Sequence, residues 1–156
     1  VDAAAIRNLV VRYGLAIDDE RIDEVAAMFT PDASFAARYG EPLRGRESIA
    51  AFLAENAAGQ EGSIHTIAGH LIEPDGDGRA VGIVQVLAEL DKGGETLRFV
   101  LRCHDRYREL EGRWLFAHRG IVVQGGAVRD PETAYVLERI WGTPAASGAG
   151  QYPVND

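Results

Sequence analysis

Apolar residues Ile6, Leu9, Val10, Tyr13 and Ile17 recur at three-and-four spacing, so one apolar face runs along the first part of the chain. The pattern predicts a helix from near Asp2 to near Asp18. Asp19 is placed to cap a second helix, whose apolar side is Ile22, Val25, Ala26 and Phe29. Pro31 ends that helix, and Ala33 to Tyr39 reads as extended. After the turn Gly40-Glu41-Pro42, a third helix turns Ile49, Phe52 and Leu53 inward.

From Ser63 the period changes to two. Four long strands are expected, about Ser63 to Glu73, Ala80 to Asp91, Glu95 to Arg108 and Arg113 to Val123. The links Pro74-Asp75-Gly76-Asp77-Gly78, Lys92-Gly93-Gly94 and Glu111-Gly112 are turn-rich and short, which favours antiparallel hairpins. In the third strand Leu97, Phe99, Leu101 and Cys103 point one way, and Arg98, Arg102, His104 and Arg106 the other. One face is therefore packed and the other meets water or a partner. Helices followed by a curled antiparallel sheet make an α+β fold, with a cavity between the two layers. Residues 1–123 form that domain. Residues 124–156 form a C-terminal extension, with a short helix over Pro131 to Ile140 and an irregular Gly-, Ala- and Pro-rich end.

Composition narrows the function. The 156 residues fit one domain, and the formal net charge of -8 argues against nucleic-acid binding, which needs clustered Lys and Arg. The single cysteine, Cys103, excludes an internal disulfide and a cysteine-rich metal site. No apolar run is long enough to span a bilayer, and Val1-Asp2-Ala3 lacks the layout of a secretion signal, so a cytoplasmic location is expected. No Gly-x-Gly-x-x-Gly, phosphate loop or nucleophile elbow is present. His65 and His70, five apart on a strand, are expected on opposite faces and make a poor metal pair. Neither a metal nor a cofactor is expected.

The candidate chemistry begins at Asp18. A carboxylate is unfavourable at the negative end of a helix dipole, so Asp18 either stands in solvent or turns inward to a partner. By alternation His65 shares the apolar side of its strand with Ile67 and Leu71. Beside a carboxylate, an inward histidine is a general base whose tautomer is fixed through one nitrogen; without one, it is an ordinary core histidine. Tyr13 lies about 140° around the helix from Asp18. It either packs in the core or meets Asp18 across a cavity. Asp105 and Tyr107 continue the inward register but lie near the strand's end, where they are expected to emerge. His104 and His118 read as surface histidines.

The run from Tyr13 through Asp18 and Asp19 to Phe29-Thr30-Pro31-Asp32-Ala33, together with Gly45-Arg46-Glu47-Ser48-Ile49, resembles the opening of the SnoaL-like proteins. These belong to the nuclear transport factor 2-like superfamily, which includes scytalone dehydratase, bile-acid 7α-dehydratase and hexachlorocyclohexane dehydrochlorinase. The resemblance implies a cone-shaped, cystatin-like α+β barrel with three N-terminal helices on a strongly curved sheet. It implies an Asp–His dyad at Asp18 and His65, with Tyr13 assisting a leaving hydroxyl. Arg119 matches a closing arginine that orients a substrate oxygen or carboxylate, although a surface salt bridge accounts for it equally. Many relatives carry Tyr where Cys103 stands, so a polar contact to substrate is missing there. Phe35, Phe52, Phe99 and Trp114 would wall the cavity.

The reading is a cofactor-independent lyase acting by dehydratase-type elimination on a small, hydrophobic, cyclic substrate. The same dyad would also serve an isomerase or a polyketide-type cyclase. A non-catalytic binding or assembly subunit is the other reading. An open pocket at an Asp18–His65 contact favours an enzyme, and a plugged one favours a subunit. Relatives associate through the outer sheet face, so a dimer or trimer is expected, with the Arg98, Arg102 and Arg106 row meeting acidic residues of a neighbour.

Overall fold

The computed structural model describes residues 1–37, 41–129 and 136–138. Helix α1 (Ala3–Asp18) is capped by the Asp2 carboxylate, which accepts from the Ala5 amide at 2.9 Å. Its apolar stripe is buried as the pattern requires, with Ile6, Val10 and Ala16 at most 1% exposed. Helix α2 (Ile22–Ala27) is short, and Arg21 rather than Asp19 occupies its N-cap, without a side-chain cap bond. Asp19 instead closes α1 and pairs with Arg21 at 3.1 Å. The expected cap is lost because Asp19 serves as the C-cap of α1, and the turn through Glu20, at φ 56°, moves the start of α2 two residues on.

Strand β1 (Phe29–Ala37) begins directly after α2, so Pro31 lies within a strand. After β2 (Leu43–Arg44), α3 (Arg46–Ala57) packs Ile49 and Leu53 into the core. Four long strands complete the sheet: β3 (Gly62–Pro74), β4 (Arg79–Lys92), β5 (Glu95–Leu110) and β6 (Arg113–Arg129). All three hairpins between them are antiparallel. The order along the sheet is β2-β1-β6-β5-β4-β3. The β1–β6 pairing is parallel, so the sheet is mixed rather than wholly antiparallel. Helices on this curved sheet give the α+β fold expected from the pattern and the cone implied by the resemblance. Val136–Glu138 form a further strand, β7, paired with β6, which replaces the expected helix at those residues. The remainder of that helix and the tail beyond it lie outside the described residues.

A bulge in β3 changes the face on which later residues lie. His65 pairs with Ala88 and Ile67 with Val86, but the register shifts between Ile67 and Gly69, and His70 then pairs with Val84. One extra residue exchanges the two faces beyond it. His70 therefore joins the inner face with His65, and Leu71 turns outward at 68% exposure, the reverse of simple alternation.

The core joins the helices to the inner sheet face through aromatic contacts. Tyr13 meets Phe29 and Phe116 edge-on, with ring centroids 6.0 and 5.5 Å apart, and Phe116 in turn contacts Tyr107 at 5.6 Å. Gly82 makes room for this layer: a Cβ there would stand 2.8 Å from the Leu71 carbonyl oxygen and 2.9 Å from Tyr107 Cε2. Gly82→Ala is predicted to cost about 1–3 kcal/mol by overpacking. Urea denaturation checks this, and an unchanged midpoint at constant m-value would contradict it.

Candidate active site

Asp18 is the last helical residue of α1, and its side chain turns back to β3. Three donors reach it. The His65 backbone amide donates to Oδ2 at 2.8 Å, Ser63 Oγ donates to Oδ1 at 2.9 Å, and His65 Nδ1 lies 2.6 Å from Oδ1. These donors offset the unfavourable helix-end position of the carboxylate. An ionised carboxylate only accepts, so His65 Nδ1 carries a proton and its lone pair sits at Nε2. Both side chains are under a fifth exposed, which shields the pair while leaving it reachable. Gly14 of α1 faces His65, and a Cβ there would lie at an ordinary contact distance of 3.6 Å from His65 Cβ, so helix and strand are closely packed.

The dyad opens onto a cavity of about 470 Å³ between the helices and the sheet. Ile17, Ile22, Phe35, Phe52, Leu53 and Ile121 supply apolar wall, and His65, Ser63 and Tyr13 supply polar groups. Glu20, Asn56 and Gln60 add polar atoms, and no Lys or Arg is among the described residues lining it. This volume suits a small-molecule ligand in a mostly apolar pocket with a few polar contacts. Among the described residues no group of three or more His, Cys, Asp or Glu is placed to hold a metal ion.

Of the expected site residues, His65, Tyr13, Phe35 and Phe52 line this cavity, and Asp18 stands behind His65, bonded to its ring. Phe99, Cys103, Trp114 and Arg119 are not among the residues that line it. Phe99 is two strands away from His65, across Ala88, and packs against Gly126. Cys103 and Trp114 are core residues at 3% and 8% exposure, and burial pushes the Cys103 thiol up to about 12.

Arg119 is occupied elsewhere. Its Nε and Nη2 donate to the two oxygens of Asp105 at 2.9 and 2.7 Å, in a pair with side chains 3% and 0% exposed. Burial alone would favour loss of its proton, but the Asp105 charge more than reverses this. The guanidinium also lies over the Tyr13 and Phe116 rings, 4.2 Å from each centroid. Asp105 accepts a third bond from Tyr107 Oη at 2.8 Å. Because Tyr107 spends its only proton there, His70 Nε2, 3.0 Å from that oxygen, is the donor to it. Asp105 and Tyr107 are thus buried at 2% and 1% exposure, contrary to the expected emergence at the strand's end. The signal was present: an inward carboxylate needs a counter-charge, and Arg119 is its register partner on β6.

Tyr13 joins this network to the cavity. Burial pushes its phenol up to about 12, with Arg119 pulling in the opposite direction, so it remains protonated near neutral pH and can donate a hydrogen bond. Removing one partner of the buried pair leaves the other charge without compensation. Arg119→Met is predicted to cost about 3–5 kcal/mol, and Asp105→Leu/Arg119→Met to recover most of that loss. Thermal or chemical denaturation of the single and double variants tests this; a single-variant cost under about 1 kcal/mol would contradict it.

Comparison with known proteins identifies the relatives. The description of the matching family model is SnoaL-like domain, and the match covers residues 1–120. No curated protein sequence matches the chain. A scytalone dehydratase-like protein of Novosphingobium aromaticivorans superposes with a TM-score of 0.75 at 18% identity, covering 90% of this chain and 93% of that one. A type 2 hexachlorocyclohexane dehydrochlorinase gives 0.74 at 20% identity, covering 81% and 88%. A Mycobacterium tuberculosis protein of unknown function gives 0.70 at 26% identity, covering 77% and 70%. With the cone-shaped fold and a model match across most of its length, the chain belongs to the SnoaL-like family.

Proposed function

We propose that the protein is a cofactor-independent lyase that eliminates water, or a comparable leaving group, from a small neutral cyclic substrate. The observation that carries this reading is the 2.6 Å contact of His65 with Asp18 at an open, mostly apolar cavity. His65 Nε2 takes the proton from a carbon beside an activating carbonyl. The electron pair forms the new double bond as the bond to the leaving oxygen breaks. Asp18 holds the ring and stabilises the imidazolium that forms. Tyr13 donates a hydrogen bond to the departing hydroxyl, and the proton held by the His65 imidazolium passes to it, so that water leaves and the neutral imidazole is restored. Fold neighbours that include a scytalone dehydratase-like protein and a dehydrochlorinase are consistent with such chemistry, and their low identities leave the substrate to be found by assay.

The same dyad would support isomerisation if the proton returned to another carbon, or cyclisation if the carbanion attacked a carbonyl. An open cavity favours all of these over an assembly subunit, whose pocket would be plugged.

Cyclic β-hydroxyketones test the proposal, because elimination yields a conjugated enone with strong ultraviolet absorption. His65→Gln is predicted to lower turnover by about 10²–10⁴-fold, as removal of a general base does. Asp18→Asn should be comparably impaired and Tyr13→Phe less so. Undiminished turnover in folded His65→Gln would eliminate the general-base assignment.

A further inference from the structure

One end of the Asp18–His65 cavity is built from hydrogen-bond acceptors. Ser63 Oγ gives its only proton to Asp18 Oδ1, so a ligand meets that oxygen through its lone pairs alone. Asn56 Nδ2 donates to the Phe52 carbonyl at 2.9 Å, which fixes the amide and leaves Oδ1 without a partner among the described residues. Glu20 is the one carboxylate among the described lining residues, and an ionised carboxylate only accepts. Gln60 adds both a donor and an acceptor. These groups belong together: Glu20 follows Asp18 by two residues, Asp18 is bonded to Ser63, and Asn56 and Gln60 end α3 just before β3. Tyr13 is the donor of the lining that serves the departing hydroxyl.

Glu20 is set apart by its backbone. The Arg21 amide donates to the Ala16 carbonyl at 2.8 Å and the Glu20 amide to the Ile17 carbonyl at 3.0 Å, the two bonds of a Schellman cap on α1. That cap places Glu20 at φ 56°, where glycine is free of the steric penalty that a side chain brings. Both bonds are made by the backbone, so the cap has no use for a glutamate side chain. The local charges do not use it either: Arg21 pairs with Asp19 and Glu24, and the Glu20 carboxylate has no hydrogen bond or ion pair among the described residues. Other glutamates differ. Glu47 and Glu55 sit on the ordinary backbone of α3 and do not line the cavity. Glu111, the other non-glycine residue at positive φ among the described residues, makes the tight β5–β6 turn with Gly112.

We propose that Glu20 is a specificity-determining residue, whose carboxylate accepts a hydrogen bond from a hydroxyl group that the substrate carries at the end away from its reacting carbon. Ser63 and Asn56 offer further acceptors to the same end of the molecule. A hydroxyl donating to a carboxylate makes one of the stronger hydrogen bonds. A neutral hydroxyl suits this end better than an ammonium group, because the other acceptors there are uncharged and the walls beside them are apolar. The inference deepens the elimination reading and rests on it for the orientation of the substrate, with Tyr13 at the departing hydroxyl and Glu20 at the retained one.

The test measures binding without turnover, on the full chain, through the His65 ring signals. The probes are two pairs of ketones, cyclohexanone with 4-hydroxycyclohexanone and 1-decalone with 6-hydroxy-1-decalone, whose hydroxyls lie too far from the carbonyl to be eliminated. In at least one pair the hydroxylated ketone is expected to bind about tenfold more tightly than its parent, as a charge-assisted hydrogen bond allows. Glu20→Gly should abolish that gain and leave the parent ketone's affinity unchanged. The same variant should raise the urea midpoint, because glycine relieves the left-handed backbone. Hydroxylated probes that bind no better than their parents, or a gain that survives in Glu20→Gly, would overturn the proposal. So would a lowered urea midpoint in Glu20→Gly, which would give the glutamate a structural purpose. Tighter binding of the hydroxylated ketone in a protein that eliminates nothing would sink the lyase reading and leave the Glu20 contact standing.

Discussion

The tie between the end of α1 and the first long strand governs the site. Asp18 ends a helix, where the dipole is unfavourable to a negative charge, yet it is held there by Ser63, the His65 amide and the His65 ring. Two of these contacts come from one residue, so the carboxylate fixes both the backbone of β3 and the orientation of the imidazole. The apolar stripe of α1 supplies the burial that keeps it in place. The site is thus set by how the helix meets the sheet rather than by a loop.

Behind the cavity stands a second polar structure, the chain His70–Tyr107–Asp105–Arg119, which ends under the Tyr13 ring. Its charges cancel internally, which keeps a cation inside the cone without presenting it to the ligand. The consequence for specificity is direct. Among the described lining residues the cavity has no cation to anchor an acidic substrate, and its polar atoms are hydrogen-bonding groups and one carboxylate, Glu20. A neutral ligand fits that lining, with polarity needed only near His65, Tyr13 and Ser63.

Much of the fold was legible in the hydrophobic periods. The helical stripe from Ile6 to Ile17 and the alternation from Leu97 to Cys103 have the faces the structure shows. The residues alone left Asp18 between solvent and an inward partner, and His65 between a base and a core histidine; the family resemblance paired them, and they stand 2.6 Å apart. What was hidden depended on register. The bulge near Gly69 moved His70 to the inner face, and strict alternation has no means of anticipating an inserted residue, although a glycine within a strand is its usual mark. Arg119 was read either as a group facing substrate, by resemblance, or as a surface salt bridge; it forms a salt bridge, but a buried one, because its partner Asp105 on the adjacent strand points inward rather than to solvent. His104 and His118 were read as surface residues, and both lie on the outer sheet face, half-buried there.

The central claim is that Asp18 holds His65 as a base with its lone pair directed to the cavity. The most direct measurement is the nitrogen chemical shifts of the His65 ring by NMR, in the neutral form, in the native protein and in Asp18→Asn. The account predicts a protonated Nδ1 and a bare Nε2 in the native protein, with that preference relaxed once the carboxylate is removed. A protonated Nε2 in the native protein, or the same tautomer with and without the Asp18 charge, would contradict it.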